Sequence, residues 1–241
     1  MNIKEKVLTI LKKELEPFGY RYLKSKSKFK RKVGKDIIVS LYYNASCSYR
    51  GHTTITFYAR GIYLDLKKEL QNQCLIDVEY WYFGFCSRLQ WLMPEGKFSS
   101  PWDLVFCDDD TEELVNEKLE EMAWCVRTYL IPFLERLSHR SSALEEAIAF
   151  DRSFLVTNAY LVPVMYCIWK HDKKAALDYL EEAGKRRLSL VEPGEWSRLE
   201  RMKNGETLTQ EEYPAYALLY EEYVEESQKI KEWIWSQNYG E

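Results

Sequence analysis

The sequence predicts an α+β fold. It comprises an antiparallel sheet of about four strands, packed by an N-terminal helix and a long helix and followed by an all-helical C-terminal part. Three features predict it. First, residues 36–64 hold two extended runs. Ile37, Val39, Leu41 and Tyr43 alternate with Ile38, Ser40, Tyr42 and Asn44, and Ile55, Phe57 and Ala59 alternate with Thr54, Thr56, Tyr58 and Arg60. A period of two in β-branched and aromatic residues marks half-buried antiparallel strands. Second, segments on either side carry apolar residues every three or four positions, the period of a helix that covers a sheet. Third, no period of two recurs after Ser141.

Ile3, Val7, Ile10, Leu11 and Leu15 form one face of a first helix, which Pro17 ends. Tyr20 to Val33 alternates Lys and Arg with Tyr, Leu and Phe and predicts a basic edge strand with a break near Ser25. Gly34-Lys35-Asp36 turns into the next strand. The loop 44–51 is too long for a two-residue hairpin. Residues 75–85 form a further β-like run, 86–93 suit strand or helix, and 99–103 suit an ordered loop around Trp102. Asp110 with Glu113 suits a helix cap. Val115, Leu119, Met122, Val126, Tyr129, Phe133 and Leu137 then make one stripe about six turns long, with Pro132 predicted to kink or divide it.

Beyond residue 141 the spacing predicts helices over 142–150, 158–169 and 173–183, the last closed by Gly184 as a left-handed cap. Residues 158–184 read as a helical hairpin resembling one tetratricopeptide-type unit without a second copy. Thr209 and Glu212 form a capping box before a final helix to about Gln237. The expected division is 1–140 for the α+β domain and 141–241 for the helical region.

The chain has 241 residues and a net charge of −4, with 46% hydrophobic and 30% charged residues, which describes a folded rather than a disordered protein. Charge is uneven: residues 21–35 are strongly basic and 103–121 strongly acidic. Aromatic residues make up 15%, which suits either thick packing or a binding surface. Six cysteines, at 47, 74, 86, 107, 125 and 167, form no C-x-x-C pair and no zinc-like spacing with His52, His139 or His171. No signal peptide is visible, and no apolar run approaches the ~18 residues of a membrane span. The expectation is a reduced, cytoplasmic protein without a membrane partner.

No phosphate-binding glycine loop, G-x-S-x-G or H-E-x-x-H occurs, so no cofactor and no metal is expected and an enzyme is less expected than a binding protein. Asp108, Asp109 and Asp110 are the residue types that hold hard cations, but no D-x-D-x-D-G loop or partner histidine follows them, and solvated acids at a helix start explain them as well. Together with Glu112 and Glu113 they would suit a basic partner, mimicking nucleic acid toward a nuclease. Lys28, Lys30 and Arg31, with Tyr20, Tyr22 and Phe29 interleaved, are the residues that would track a phosphate backbone; a solvated edge strand explains them too. His52 near Cys47 has the composition of a Cys–His site, the remaining enzymatic alternative.

The order of these segments carries a resemblance. A helix ending in Pro17-Phe18-Gly19-Tyr20 is followed by the basic strand, DIIVSLYY, TTITFYARGIYL, PWDL, an acidic run and RTYLIPFLERL. This resembles a bacterial domain-of-unknown-function family, the one numbered 4304, over about residues 1–140. The resemblance carries no catalytic residues. It implies an interaction role, with immunity to bacterial toxins suggested for some members. The expected function is therefore a non-catalytic protein-interaction module, of the kind that binds a toxin. Nucleic-acid binding through residues 21–35 is the alternative.

Overall fold

A computed structural model describes residues 2–47, 51–65, 86–88, 92, 104–153 and 160–236. The fold is α+β. The β-like run 75–85 and the Trp102 loop lie outside the described residues. The chain divides into two compact units, Met1–Lys67 with Tyr82–Ala143 and Lys68–Trp81 with Leu144–Glu241.

In the first unit, helix α1 (Ile3–Leu15) starts at Asn2, whose side chain accepts from the Lys4 N–H. It buries Val7, Leu11 and Leu15. The basic stretch breaks near Ser25 as expected, into β1 (Arg21–Leu23) and β2 (Lys28–Val33) hinged by a turn of 3-10 helix at Lys24–Lys26, but only β1 is an edge, since β2 pairs on both sides. Ser27 closes that turn at a φ of 44°. Then follow β3 (Ile37–Cys47), β4 (His52–Tyr63), β5 (Cys86–Arg88) and β6 (Leu104–Cys107). All pairings are antiparallel, in the order β1-β2-β3-β4-β5, with β6 also on β4. Among the described residues the sheet thus has six strands, more than the sequence pattern predicts. The additional ones are short, and three or four residues cannot display a period of two.

The alternation sorts the two faces. Phe29, Val39, Leu41, Phe57, Ala59 and Tyr63 are buried on one of them. Helix α2 (Glu112–Cys125) passes into a π-helical segment at Val126–Leu130 and then into α3 (Ile131–Arg136). Pro132 is the cause: it has no N–H for the Thr128 carbonyl, and the turn before it widens instead of breaking. The apolar stripe therefore stays continuous. Tyr63 fastens α3 to the sheet by donating its hydroxyl to the Leu137 carbonyl at 2.7 Å.

The second unit is helical where described: α4 (Arg140–Ser153, which spans the division), α5 (Leu161–Trp169), α6 (Lys173–Leu188), α7 (Glu195–Lys203) and α8 (Ala215–Ser236). Helices α5 and α6 form the expected hairpin. Its turn is held by His171 at a φ of 58° and by Asp172, which caps α6 by accepting from the Ala175 N–H. Gly184 does not end α6. It lies in the helix interior, where a Cβ would stand 2.8 Å from Tyr223 Cε1. Glycine is there for the approach of α8, not for a left-handed cap. Thr209 and Glu212 bond reciprocally, as in a capping box, but close a turn ahead of α8 instead of its first turn. Among the described residues no helix is long and apolar enough to cross a membrane.

Candidate functional site

The basic residues are split by the strand period. Arg31 points to the helix-covered face, where its guanidinium clasps Glu135 at 2.5 and 3.1 Å and also donates to the Phe18 carbonyl at 3.0 Å. It also lies over the Tyr20 ring. Arg31 therefore ties β2 to α3 and is spent on the fold. Lys28, Lys30 and Lys32 point the other way, two residues apart along β2. The register places Arg21 beside Lys30 and Tyr42 beside Lys28. Lys28 donates to the Tyr42 hydroxyl at 3.0 Å and lies over its ring. Burial pushes that hydroxyl's pKa up, but the bonded ammonium and Arg60 outweigh it, and the net shift is downward. Farther in on this face Ser40 and Thr56 are buried, so the exposed basic part is its β1–β2 margin: Arg21, Lys24, Lys26 and Lys32, with Lys30 half-exposed.

The acidic residues form a corner at the opposite edge. Strand β6 ends at Cys107, and the chain turns through Asp108, Asp109 and Asp110 into α2. Asp108 donates its N–H to the Gly51 carbonyl at 2.9 Å. Gly51 has a φ of +72°, and a Cβ there would stand 2.5 Å from Asp108 Oδ2, so the closure requires glycine. Asp110 folds back. Its Oδ2 accepts from the Cys107 N–H at 2.9 Å and pairs with Lys118 Nζ at 2.5 Å. Burial raises the pKa of this carboxyl, yet Lys118 and the Cys107 amide win and hold it below the ordinary carboxylate range. The helix cap is Thr111, which accepts from the Leu114 N–H, and not Asp110. Asp108, Asp109, Glu112 and Glu113 are exposed.

His52 sits in this corner. Its backbone partner across β4–β6 is Cys107, and Nδ1 lies 3.0 Å from the Cys107 Sγ. The thiol beside His52 is thus Cys107, fifty-five residues along the chain, and not Cys47, whose register partner is Thr53. His52 thus lies beside the thiol from which the acidic turn starts. Ligand atoms of Cys107, Asp109 and Asp110 lie within 4.8 Å of one another.

The second unit holds a polar cluster that the sequence did not reveal. Asp151 in α4 is fully buried and accepts from Arg187 at 2.8 Å, Arg186 at 2.6 Å and the Tyr179 hydroxyl at 2.9 Å. The Arg187 guanidinium lies over the rings of Tyr160 and Tyr223. Tyr160 donates to Glu226 at 2.6 Å. Ending α6 at Gly184 would have put both arginines beyond the helix. A Lys/Arg run in a last turn, a common helix ending, was the only signal for them. The carboxylate's bonds are satisfied within the unit, the arrangement of a core clamp.

Comparison with protein-family models, curated proteins and solved structures finds no match to this chain.

Proposed function

We propose that this chain is a non-catalytic binding protein that captures a protein partner through the charged rims of its first unit, in the manner of an immunity protein holding a toxin. The observation that carries this reading is the separation of charge. Among the described residues, no ion pair joins the basic stretch 21–35 to the acids 103–121. Strands β2 and β6 are three spacings apart in the sheet, about 14 Å at ordinary strand separation. That exceeds the ~8 Å screening length at physiological salt, so neither rim neutralises the other. Segregated charge of this kind steers a complementary partner and sets its orientation. The resemblance read in the segment order over residues 1–140 implies the same role.

The test is affinity capture from cells of the source, treated with nuclease. It compares the native chain with two charge-reversed forms, Lys28→Glu/Lys30→Glu/Lys32→Glu and Asp109→Lys/Glu112→Lys/Glu113→Lys. A stoichiometric protein retained by the native chain and lost from one reversed form is the expected result. Equal retention by all three rejects a charge-steered interface.

One observation favours a second reading, binding of single-stranded nucleic acid. The lysines of β2 recur every second residue, about 6.8 Å apart, with the Tyr42 ring alongside. Filter binding decides it: neutralising Lys28, Lys30 and Lys32 should lower the salt slope by about 2. An unchanged slope removes this reading.

A further inference from the structure

The corner between β4 and β6 brings together a thiol, an imidazole and two carboxylates from segments that are distant in sequence. Cys107 and His52 are directly opposed in the strand pairing, so their side chains share one face and meet at 3.0 Å. The turn after β6 brings the carboxylates of Asp109 and Asp110 to the same thiol, with all three ligand atoms within 4.8 Å. The N–H of Asp110 donates to the Cys107 carbonyl at 3.1 Å, and its Oδ2 accepts from the Cys107 N–H at 2.9 Å. Strand pairing and turn thus hold the thiol, the imidazole and the Asp110 carboxylate in place before any ligand arrives.

We propose that Cys107 Sγ and the carboxylates of Asp109 and Asp110 form a binding site for a borderline divalent transition-metal ion, with Zn²⁺ the best fit and His52, against the thiol, as its outer partner. Zn²⁺ accepts thiolate and carboxylate together, in a tetrahedron whose fourth position water can fill. Its bonds of about 2.0–2.3 Å place neighbouring donors about 3.5 Å apart. The donors of Cys107, Asp109 and Asp110 lie within 4.8 Å of one another, a short closure away from that value. Ca²⁺ and Mg²⁺ are poor fits, because both want oxygen donors alone. Lys118 pairs with Asp110 Oδ2 and so orients the carboxylate in the way outer partners of metal ligands do. Ion binding would displace the Cys107 proton to solvent and leave the thiolate against His52. In the binding reading above, an ion here would also partly neutralise the acidic rim, but the site stands without that reading.

Cobalt(II) is the probe, because its thiolate complexes absorb in the near ultraviolet and its tetrahedral complexes absorb intensely in the visible. The purified, reduced, metal-stripped chain is titrated with Co²⁺ and back-titrated with Zn²⁺. One equivalent of Co²⁺ should develop both bands, and one equivalent of Zn²⁺ should abolish them. Cys107→Ser should lose the near-ultraviolet band, whereas Cys125→Ser and Cys167→Ser should keep it. His52→Ala and Asp109→Asn should each weaken cobalt affinity at least about tenfold, the smallest loss expected for a change in a metal site. Asp109 is exposed, so its variant tests the site even where Cys107→Ser fails to fold. No thiolate band, a band that survives Cys107→Ser, or an unchanged affinity in Asp109→Asn would overturn the proposal.

Discussion

Arg187 donates from Nη2 to Asp151 Oδ1 at 2.8 Å, and both side chains are closed off from solvent. A buried carboxylate without its guanidinium partners would be very costly, and so would the reverse. Asp151→Ala should therefore destabilise the chain by about 3–5 kcal/mol, whereas adding Arg187→Met should recover much of the loss. Urea denaturation of the single and double variants measures both. Equal stability of Asp151→Ala and the native chain would show that the cluster contributes nothing.

Gly184→Ala is expected to destabilise although alanine is the better helix former by about 1 kcal/mol. The added Cβ would fall 2.8 Å from Tyr223 Cε1 and 3.2 Å from its hydroxyl. Tyr223 cannot retreat freely, because its hydroxyl donates to the Leu180 carbonyl in α6. Overpacking of this kind costs about 1–3 kcal/mol. In a Tyr223→Ala background the same change should be neutral or stabilising. A denaturation cycle over the four chains separates the two effects.

Alkaline pH should weaken the fold through its buried phenols. Burial, reinforced by Glu226, pushes the Tyr160 hydroxyl well above the usual tyrosine range, and burial pushes Tyr223 up to about 12. The unfolded chain releases these protons near pH ~10 while the folded chain still holds them. Their contribution is thus complete below pH ~10 and is lost as pH rises through the folded values. Tyr160→Phe should flatten the fall in thermal midpoint above pH ~10. An unaltered slope would contradict the assignment.

Asp110 makes the opposite prediction. Its depressed pKa means that its contribution is present above the ordinary carboxylate range and fades as pH falls through the lower folded value. Asp110→Asn should lower the midpoint at neutral pH, and the gap from the native chain should close in acid. Thr111→Ala should instead cost about 1 kcal/mol at every pH, since it removes a neutral cap. Thermal melts of both variants across pH distinguish pair from cap.

Arg31 and Lys30 are neighbours in sequence with different work. Arg31→Ala should cost about 1.5–3 kcal/mol, the range for charge-assisted bonds, through the loss of Glu135. Lys30→Ala should leave stability within about 0.5 kcal/mol and act on partner capture alone. Parallel melts and capture assays check the contrast.

Much of this was legible in the sequence because local rules govern it. Residues 37–43 and 54–60 alternate with a period of two, the stripe from Val115 to Leu137 follows a helical one, and each period names the face that must be buried. The class of fold follows from that alone. Gly184 shows where local reasoning fails, since a glycine that ends a helix and a glycine that admits a tyrosine from another helix are spelled alike.

The tertiary structure decided which charges are spent and which groups meet. The strand period sent Arg31 to Glu135 and Lys30 to the other face, a distinction of one residue that composition does not register. Strand pairing set Cys107 against His52, and helix packing set Asp151 against Arg187. Sequence determines the local conformations, because each depends on neighbours within a few positions. The meeting of residues 52 and 107 depends on register between strands, and only the paired sheet supplies it.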